Sequence, residues 1–311
     1  MAKKMRVKAG SRRIALTLID KEVGLTSNSV VGKVRYVSGN SRVGHSGTLD
    51  PFASGLMVVA LGQGTRLLPF LHNTPKRYQA RLILGACTDT GDLTGEFIEK
   101  RAVPDSSETL LHEILSSQLG ESMQVPPAYS ARKVDGVRSY QLAREGRAVE
   151  LEASPINIYE ISGAWVSDEV IDFEVSCSRG TYVRTLGEDI AKGLGTLGYL
   201  SQLRRIESDG FSVSDASPLP NEKDDLRFCD SKIIERFDSL GVDQAMAKRL
   251  INGVEVDLND LESDRDYGDG LTFVYSRDAV ERPETLEDLI GLFEIVEGKL
   301  CPRVTFPQGA N

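Results

Sequence analysis

Between Gly44 and Gly55 the chain reads Gly-His-Ser-Gly-Thr-Leu-Asp-Pro-Phe-Ala-Ser-Gly, with one carboxylate among glycines, a histidine and a proline. Glycine admits backbone conformations that other residues resist and lets a second chain approach closely. Pro51 fixes the backbone beside the acid. The expected product is a rigid loop that presents Asp50. Leu56–Gly62 follows as an apolar run of strand length and reads as buried. A carboxylate on such a loop, at the edge of a core strand, can act as a nucleophile or take a proton. The plainer reading stands beside it: most Asp-Pro pairs start turns, and most His-Ser pairs in loops are solvated.

What the chain lacks narrows the chemistry. Three histidines (His45, His72, His112) cannot build a histidine-rich metal cage. Cys87, Cys177, Cys229 and Cys301 are scattered with no Cys-x-x-Cys pair, which points away from a zinc site or a disulfide framework and toward reduced thiols in a cytoplasmic protein. There is no phosphate-binding Gly-x-x-x-x-Gly-Lys-Ser/Thr, no dinucleotide fingerprint and no serine nucleophile elbow. If the protein is an enzyme, what remains is a reaction without metal or cofactor, run by one carboxylate.

The loop fills every fixed position of Gly-His-x-Gly-x-Leu-Asp-Pro-x-Ala-x-Gly and closely resembles the signature loop of the TruB family of tRNA pseudouridine synthases. Lys76-Arg77-Tyr78, Val125–Gly136 (with Pro126, Tyr129, Ser130 and Lys133) and Cys177-Ser178-Arg179-Gly180-Thr181-Tyr182-Val183-Arg184-Thr185 resemble further family segments in family order. Asp89-Thr90-Gly91-Asp92 does so as well. The resemblance covers about residues 14–210. It implies an enzyme that isomerises uridine 55 in the tRNA T-loop to pseudouridine, breaking the glycosidic bond and rejoining the base through carbon, with no cofactor and no metal. It implies Asp50 as the catalytic acid residue, and leaves open whether it attacks the base, attacks the ribose or first deprotonates the ribose. Arg184 is implied as the cation that keeps Asp50 ionised, and Tyr182 as a hydrogen-bonding residue of the pocket. Tyr78 would stack on a flipped-out uracil, its hydroxyl assisting loss of the C5 proton, and Leu203 would pack against the same base. His45 would fill space that the flipped bases vacate. Lys21, with Lys33, Arg35 and Arg42, would meet phosphate or neighbouring nucleotides, and Lys133 could touch phosphate. Asp89 would hydrogen-bond RNA or support the pocket. The family has Lys-Pro where this chain has Lys21-Glu22, which weakens the local positive field.

These residues need elements to hold them. Ile14–Lys21 reads as a strand, followed by a helix capped by Thr26 or Ser27 and running through Val34. Gly64–Leu71 reads as a short helix and Tyr78–Leu84 as a strand. A helix capped by Ser106 or Ser107 runs through Leu119, and Ile156–Trp165 and Val170–Cys177 read as strands. Tyr182–Leu194 has Val183, Leu186, Ile190 and Leu194 on one side, an amphipathic helix. The expected fold is α/β (α+β): a pseudouridine synthase fold with a mixed, largely antiparallel sheet, and a small C-terminal β-domain that resembles a PUA domain. Expected boundaries are a catalytic domain over 1–218, a polar, proline-bearing linker over 219–240 and the PUA-like RNA-binding domain over 241–311. Within the last, Ala245–Leu250 reads as a helix and Leu271–Tyr275 and Leu289–Val296 as strands.

The net charge of −9 is unevenly spread: residues 1–48 carry +8 and residues 219–311 carry −10. A basic end on an acidic body is compatible with a local phosphate-binding face. Residues 1–13 read as a charged, frayed start without the apolar core of a signal peptide. No run of eighteen apolar residues suggests a membrane span. The expected protein is a cytoplasmic monomer whose partner is the T-arm of tRNA. Two competitors remain: an RNA-binding or tRNA-folding protein whose main contribution is not catalytic, and a carboxylate hydrolase of sugars or nucleosides, which usually needs a second acid beside Asp50.

Overall fold

The computed structural model describes residues 14–71, 74–105, 107–130, 133–134, 137–139, 151–261 and 267–306, with 133–134 and 137–138 as backbone alone. The expected frayed start, Ser106, His72 and the side chain of Lys133 lie outside the described residues.

Strand β1 (Ala15–Lys21) leads into helix α1 (Ser27–Ser38). Thr26 caps that helix by accepting from the Ser29 amide, an arrangement worth about 1 kcal/mol. Gly39, at φ 66°, ends it. The helix runs a turn beyond the expected Val34, because Val37 and Ser38 are also buried. Next come β2 (Val43–His45) and β3 (Ser54–Leu61). The residues expected as one short helix after β3 form two 3-10 turns instead, Gly62–Arg66 and Leu68–Leu71, with Leu67, Leu68 and Leu71 buried. Then follow β4 (Lys76–Leu84), a hairpin of β5 (Ala86–Thr88) and β6 (Phe97–Lys100), and α2 (Glu108–Ser117), which Ser107 caps. Short strands β7 (Gly120–Gln124), β8 (Lys133–Val134) and β9 (Val137–Arg138) precede the long pair β10 (Ser154–Ser167) and β11 (Val170–Cys177). Helix α3 (Val183–Gly193), β12 (Gly198–Ser208), β13 (Phe211–Ser212) and β14 (Ser217–Pro218) complete the first unit.

Among the described residues, ten of these strands form one sheet in the order β14-β1-β3-β12-β4-β11-β10-β7, with β2 on β3 and β13 on β12. Its pairings are antiparallel except β1–β14 and β3–β12, so the sheet is mixed and largely antiparallel, as expected. β1 and β3 read as continuous apolar runs because both of their faces are covered. Ala15, Ile19, Met57 and Val59 pack under Val30, Val31 and Val34 of α1. Leu16, Leu18, Leu56 and Val58 pack on the other side against the C-terminal sheet. Helix α3 lays Val183, Leu186 and Ile190 on Leu82 and Leu200.

The C-terminal part holds α4 (Asp230–Ile234), β15 (Asp238–Val242), α5 (Gln244–Ile251), β16 (Val256–Asp257), β17 (Gly270–Ser276), β18 (Leu289–Val296) and β19 (Lys299–Thr305). Its five strands curl in the order β15-β17-β18-β19-β16, a half-barrel of PUA-like form. Residues 219–240 are not a free polar tether. Leu226, Ile233 and Ile234 are buried, Cys229 donates its amide to the Leu16 carbonyl, and the Asp230 carboxylate accepts from the Leu16 amide. Proline and acid content describes the surface of this segment; its apolar residues dock it.

Candidate active site

Asp50 lies in a turn closed by the Ala53 amide on its own carbonyl, at 3.1 Å. The loop around it is held by its backbone. The Gly24 amide donates to the Pro51 carbonyl at 2.7 Å, and Ser27 Oγ both donates to the Leu49 carbonyl and accepts from the Leu49 amide, at 2.9 Å each. Two buried cations grip the loop from opposite sides. Lys21 Nζ donates to the carbonyls of Ala53 (2.5 Å), Leu25 (2.8 Å) and Glu22 (2.9 Å). The Arg205 guanidinium donates to Leu56 (2.8 Å), Thr48 (3.2 Å) and Gly47 (3.2 Å). A glycine is required at Gly55: φ is +107°, and a Cβ there would lie 2.3 Å from the Arg205 carbonyl oxygen.

The expected partnership with Arg184 is present in the geometry. Arg184 sits in the first turn of α3, and its Nε lies 2.9 Å from Asp50 Oδ2. Its Nη1 donates to the Thr90 carbonyl at 2.6 Å and its Nη2 to the Tyr129 carbonyl at 2.9 Å. Asp92 Oδ2 stands 3.7 Å from Nη1. The Arg184 side chain is 4% exposed and the Asp50 side chain 33%, so the cation is sunk in the protein while the carboxylate is partly open to solvent. Tyr182 stands directly before α3, its backbone clasped by the Gln124 amide group at both N–H (2.8 Å) and carbonyl (3.2 Å).

Tyr78 and Leu203 lie on adjacent strands in one buried apolar cluster with Leu49, Phe52, Ala80 and Val183. Burial pushes the Tyr78 phenol up to about 12, against the opposing pull of Arg205, so it stays protonated at neutral pH. Its oxygen accepts a hydrogen bond from the Arg205 guanidinium. His45 is half-buried at the end of β2, opposite Val59. A groove of about 940 Å³ runs along the sheet beside this cluster; it meets the candidate set at Leu203, and reaches the Asp50 loop at Phe52 and Ser54.

Lys21 requires a correction. A phosphate contact needs an exposed amine, and this residue is 0% exposed with Nζ donating to three carbonyls. Desolvation lowers it to about 8 although Asp50 pulls the other way. It builds the loop instead of facing solvent. Arg35 and Arg42 remain at the surface and Lys33 is half-buried. Asp89 is exposed, accepts from the Glu96 amide at 2.8 Å and closes the β5–β6 hairpin.

Three residues without an assigned role in the sequence prove central: Asp92, Lys76 and Arg205. Asp92 is 5% exposed and accepts from the Thr94 amide, while Thr88 Oγ1 donates to its carbonyl. Lys76 is 7% exposed, directly beneath Gly47, where a Cβ would lie 2.5 Å from its Nζ; desolvation, then Arg205, lowers it to about 8. The signal for Lys76 and Arg205 was available: Lys76 alternates with Tyr78, Ala80, Leu82 and Leu84, and Arg205 with Leu203, so both cations fall on the inward register of their strands. Among the described residues no group of three or more His, Cys, Asp or Glu is placed to hold a metal ion, and no helix is long and apolar enough to cross a membrane.

Comparison with known proteins agrees with this architecture. A family profile, TruB family pseudouridylate synthase (N terminal domain), matches residues 35–183. The chain is 44% identical over 204 residues to the tRNA pseudouridine synthase B of Hydrogenovibrio crunogenus, spanning 66% of this chain and 67% of that protein. It is 35% identical over 301 residues to the tRNA pseudouridine synthase B of Francisella philomiragia, spanning 94% and 95%. Two solved structures share the fold: a Cbf5-Nop10-Gar1 complex (TM-score 0.63, 21% identity, 91% of this chain and 78% of that one) and an H/ACA RNP bound to a substrate RNA containing 2'-deoxyuridine (TM-score 0.64, 20% identity, 94% and 86%). Fold and relatives together make this protein a pseudouridine synthase, an isomerase. Within that class the chain belongs to the TruB family.

Proposed function

We propose that the protein isomerises uridine 55 in the T-loop of tRNA to pseudouridine, acting as a cytoplasmic monomer on the T-arm without cofactor or metal. The observation that carries this reading is the 2.9 Å pair between Asp50 and Arg184, a half-exposed carboxylate backed by a buried guanidinium. The buried guanidinium fixes the position of the carboxylate, and a positioned carboxylate can attack or take a proton. The reaction breaks the bond from ribose C1' to N1 and makes one from C1' to C5; the C5 proton leaves and N1 gains one. Asp50 starts this exchange. Tyr78 and Leu203 offer an aromatic and an aliphatic face for the extruded uracil, Tyr182 frames the pocket and His45 fills the vacated stack. The names of the two bacterial relatives support tRNA as substrate.

The test is tritium release from C5-labelled uridine in a tRNA transcript. The wild-type protein is expected to release it, and Asp50→Asn to lose turnover while tRNA affinity stays within a few fold. Release that ignores replacement of the T-loop uridine would remove the tRNA assignment. Uracil set free from uridine would favour a hydrolase.

A further inference from the structure

Asp209 occupies a left-handed turn. It joins β12 to β13 with φ 54°, in the left-handed region where side chains other than glycine are uncommon. It is also fully buried. A buried carboxylate persists only where it is hydrogen-bonded or paired, and its contacts run in two directions. Inward, Oδ2 accepts from Ser46 Oγ at 2.5 Å and from Ser208 Oγ at 2.9 Å, with the charge of Lys76 nearby. Outward, its carbonyl accepts from Arg236 Nη1.

Ser46 belongs to the loop that carries Asp50. It follows His45 directly, and its amide is fixed on the Val58 carbonyl at 3.1 Å. The next two carbonyls, of Gly47 and Thr48, are those gripped by Arg205. The Ser46 side chain thus ties this stretch to the β12–β13 turn. Arg236 lies over the Phe211 ring at 5.1 Å and against Gly210, where a Cβ would come within 2.8 Å of its guanidinium. The following residue, Phe237, packs edge-on against Phe273 of β17, with ring centres 5.1 Å apart. A continuous path runs from the Asp50 loop, through the carboxylate and then the main-chain carbonyl of Asp209, to the seat of the C-terminal sheet.

We propose that Asp209 is a positioning residue: through Ser46 it holds the His45–Asp50 segment in its reactive placement, and through Arg236 it makes that placement depend on the seating of the C-terminal sheet. The proposal rests on Asp50 being the reacting carboxylate. Misplacing a reacting group by about 1 Å costs about a hundredfold in rate, so a partial release of the loop is read in turnover before it is read in binding.

The experiment compares Asp209→Asn, Ser46→Ala, their double variant and Ser46→Thr in the full-length protein, measuring kcat by tritium release and Kd for tRNA by filter binding. Each single variant is expected to lower kcat about tenfold with Kd within twofold. The double variant is expected to fall no further, because both changes break one interaction. Ser46→Thr keeps the hydroxyl and is expected to stay within twofold of wild type. Unchanged kcat, losses that multiply in the double variant, or a loss confined to Kd would each overturn the proposal. If Asp209→Asn does not fold, the Ser46 pair decides: an alanine loss with threonine retention supports it, and equal behaviour overturns it. A wild-type protein inactive on tRNA would remove the functional reading instead, whereas active wild type with equally active variants removes this inference alone.

Discussion

Arg184 concentrates more interactions than any surface arginine could use. Its planar fork meets Asp50, two backbone carbonyls and, at longer range, Asp92, in a site where only 4% of the side chain is exposed. A lysine carries the same charge but a single nitrogen, and cannot reach these acceptors together. Arg184→Lys is expected to lower kcat by at least about a hundredfold, the scale of losing one fixed charge donor. It should also reduce stability by about 3 kcal/mol, because buried partners are left uncompensated. Turnover assays and urea unfolding check the two parts. Near-wild-type turnover would show that Asp50 does not depend on this guanidinium. Asp50 and Arg184 were legible as a pair through the family resemblance of their two motifs. Asp92 was not singled out, because an Asp in a Thr-Gly-Asp turn looks like ordinary turn chemistry until the chain folds it behind Arg184.

At the scale of elements, the active-site loop is shaped by strands that begin or end under it. β1 contributes Lys21 at its last residue, β4 contributes Lys76 at its first, and β12 contributes Arg205 in its interior. Helices and strands were largely legible because their periodicity is strong: the apolar stripe of α3 and the run of β3 fall within two residues of expectation. The inward cations were not, since a lysine at a strand end reads by default as solvated. Burial has a measurable consequence for Lys76. Its amine is pushed from 10.5 down to about 8 on folding, so between these values the unfolded chain binds more protons and stability rises with pH. From pH 7.5 to 9.5 the wild-type protein is expected to gain about 2 kcal/mol relative to Lys76→Met, with a slope that reaches at most about 1.4 kcal/mol per pH unit near the middle of the window. Urea midpoints of the two proteins at both pH values test this. An unchanging difference would mean that Lys76 titrates alike in both states.

At the scale of the molecule, the two units share a core. Leu16, Leu18, Leu56 and Val58 of the large sheet join Phe273, Leu289, Leu292 and Phe306 of the C-terminal sheet in one apolar cluster. The composition of residues 219–240 suggested a linker because sequence windows weigh polar surface and overlook the few apolar residues that dock a segment. Phe273 is fully buried in the joint and packed edge-on against Phe237. Phe273→Ala is expected to cost about 3–5 kcal/mol, and to loosen both units in one transition. Thermal melts followed by near- and far-ultraviolet circular dichroism would show it; two separated transitions would mean that the units melt independently.

The grip of Arg205 on Gly47, Thr48 and Leu56 spans 149 to 158 residues of chain. Domains fold as units during synthesis, from the amino end first. A nascent polypeptide that has emerged only as far as Asp50 therefore has that carboxylate without the arginine that fixes its loop. The loop is expected to take its final shape only once the twelfth strand has paired with β3 and β4.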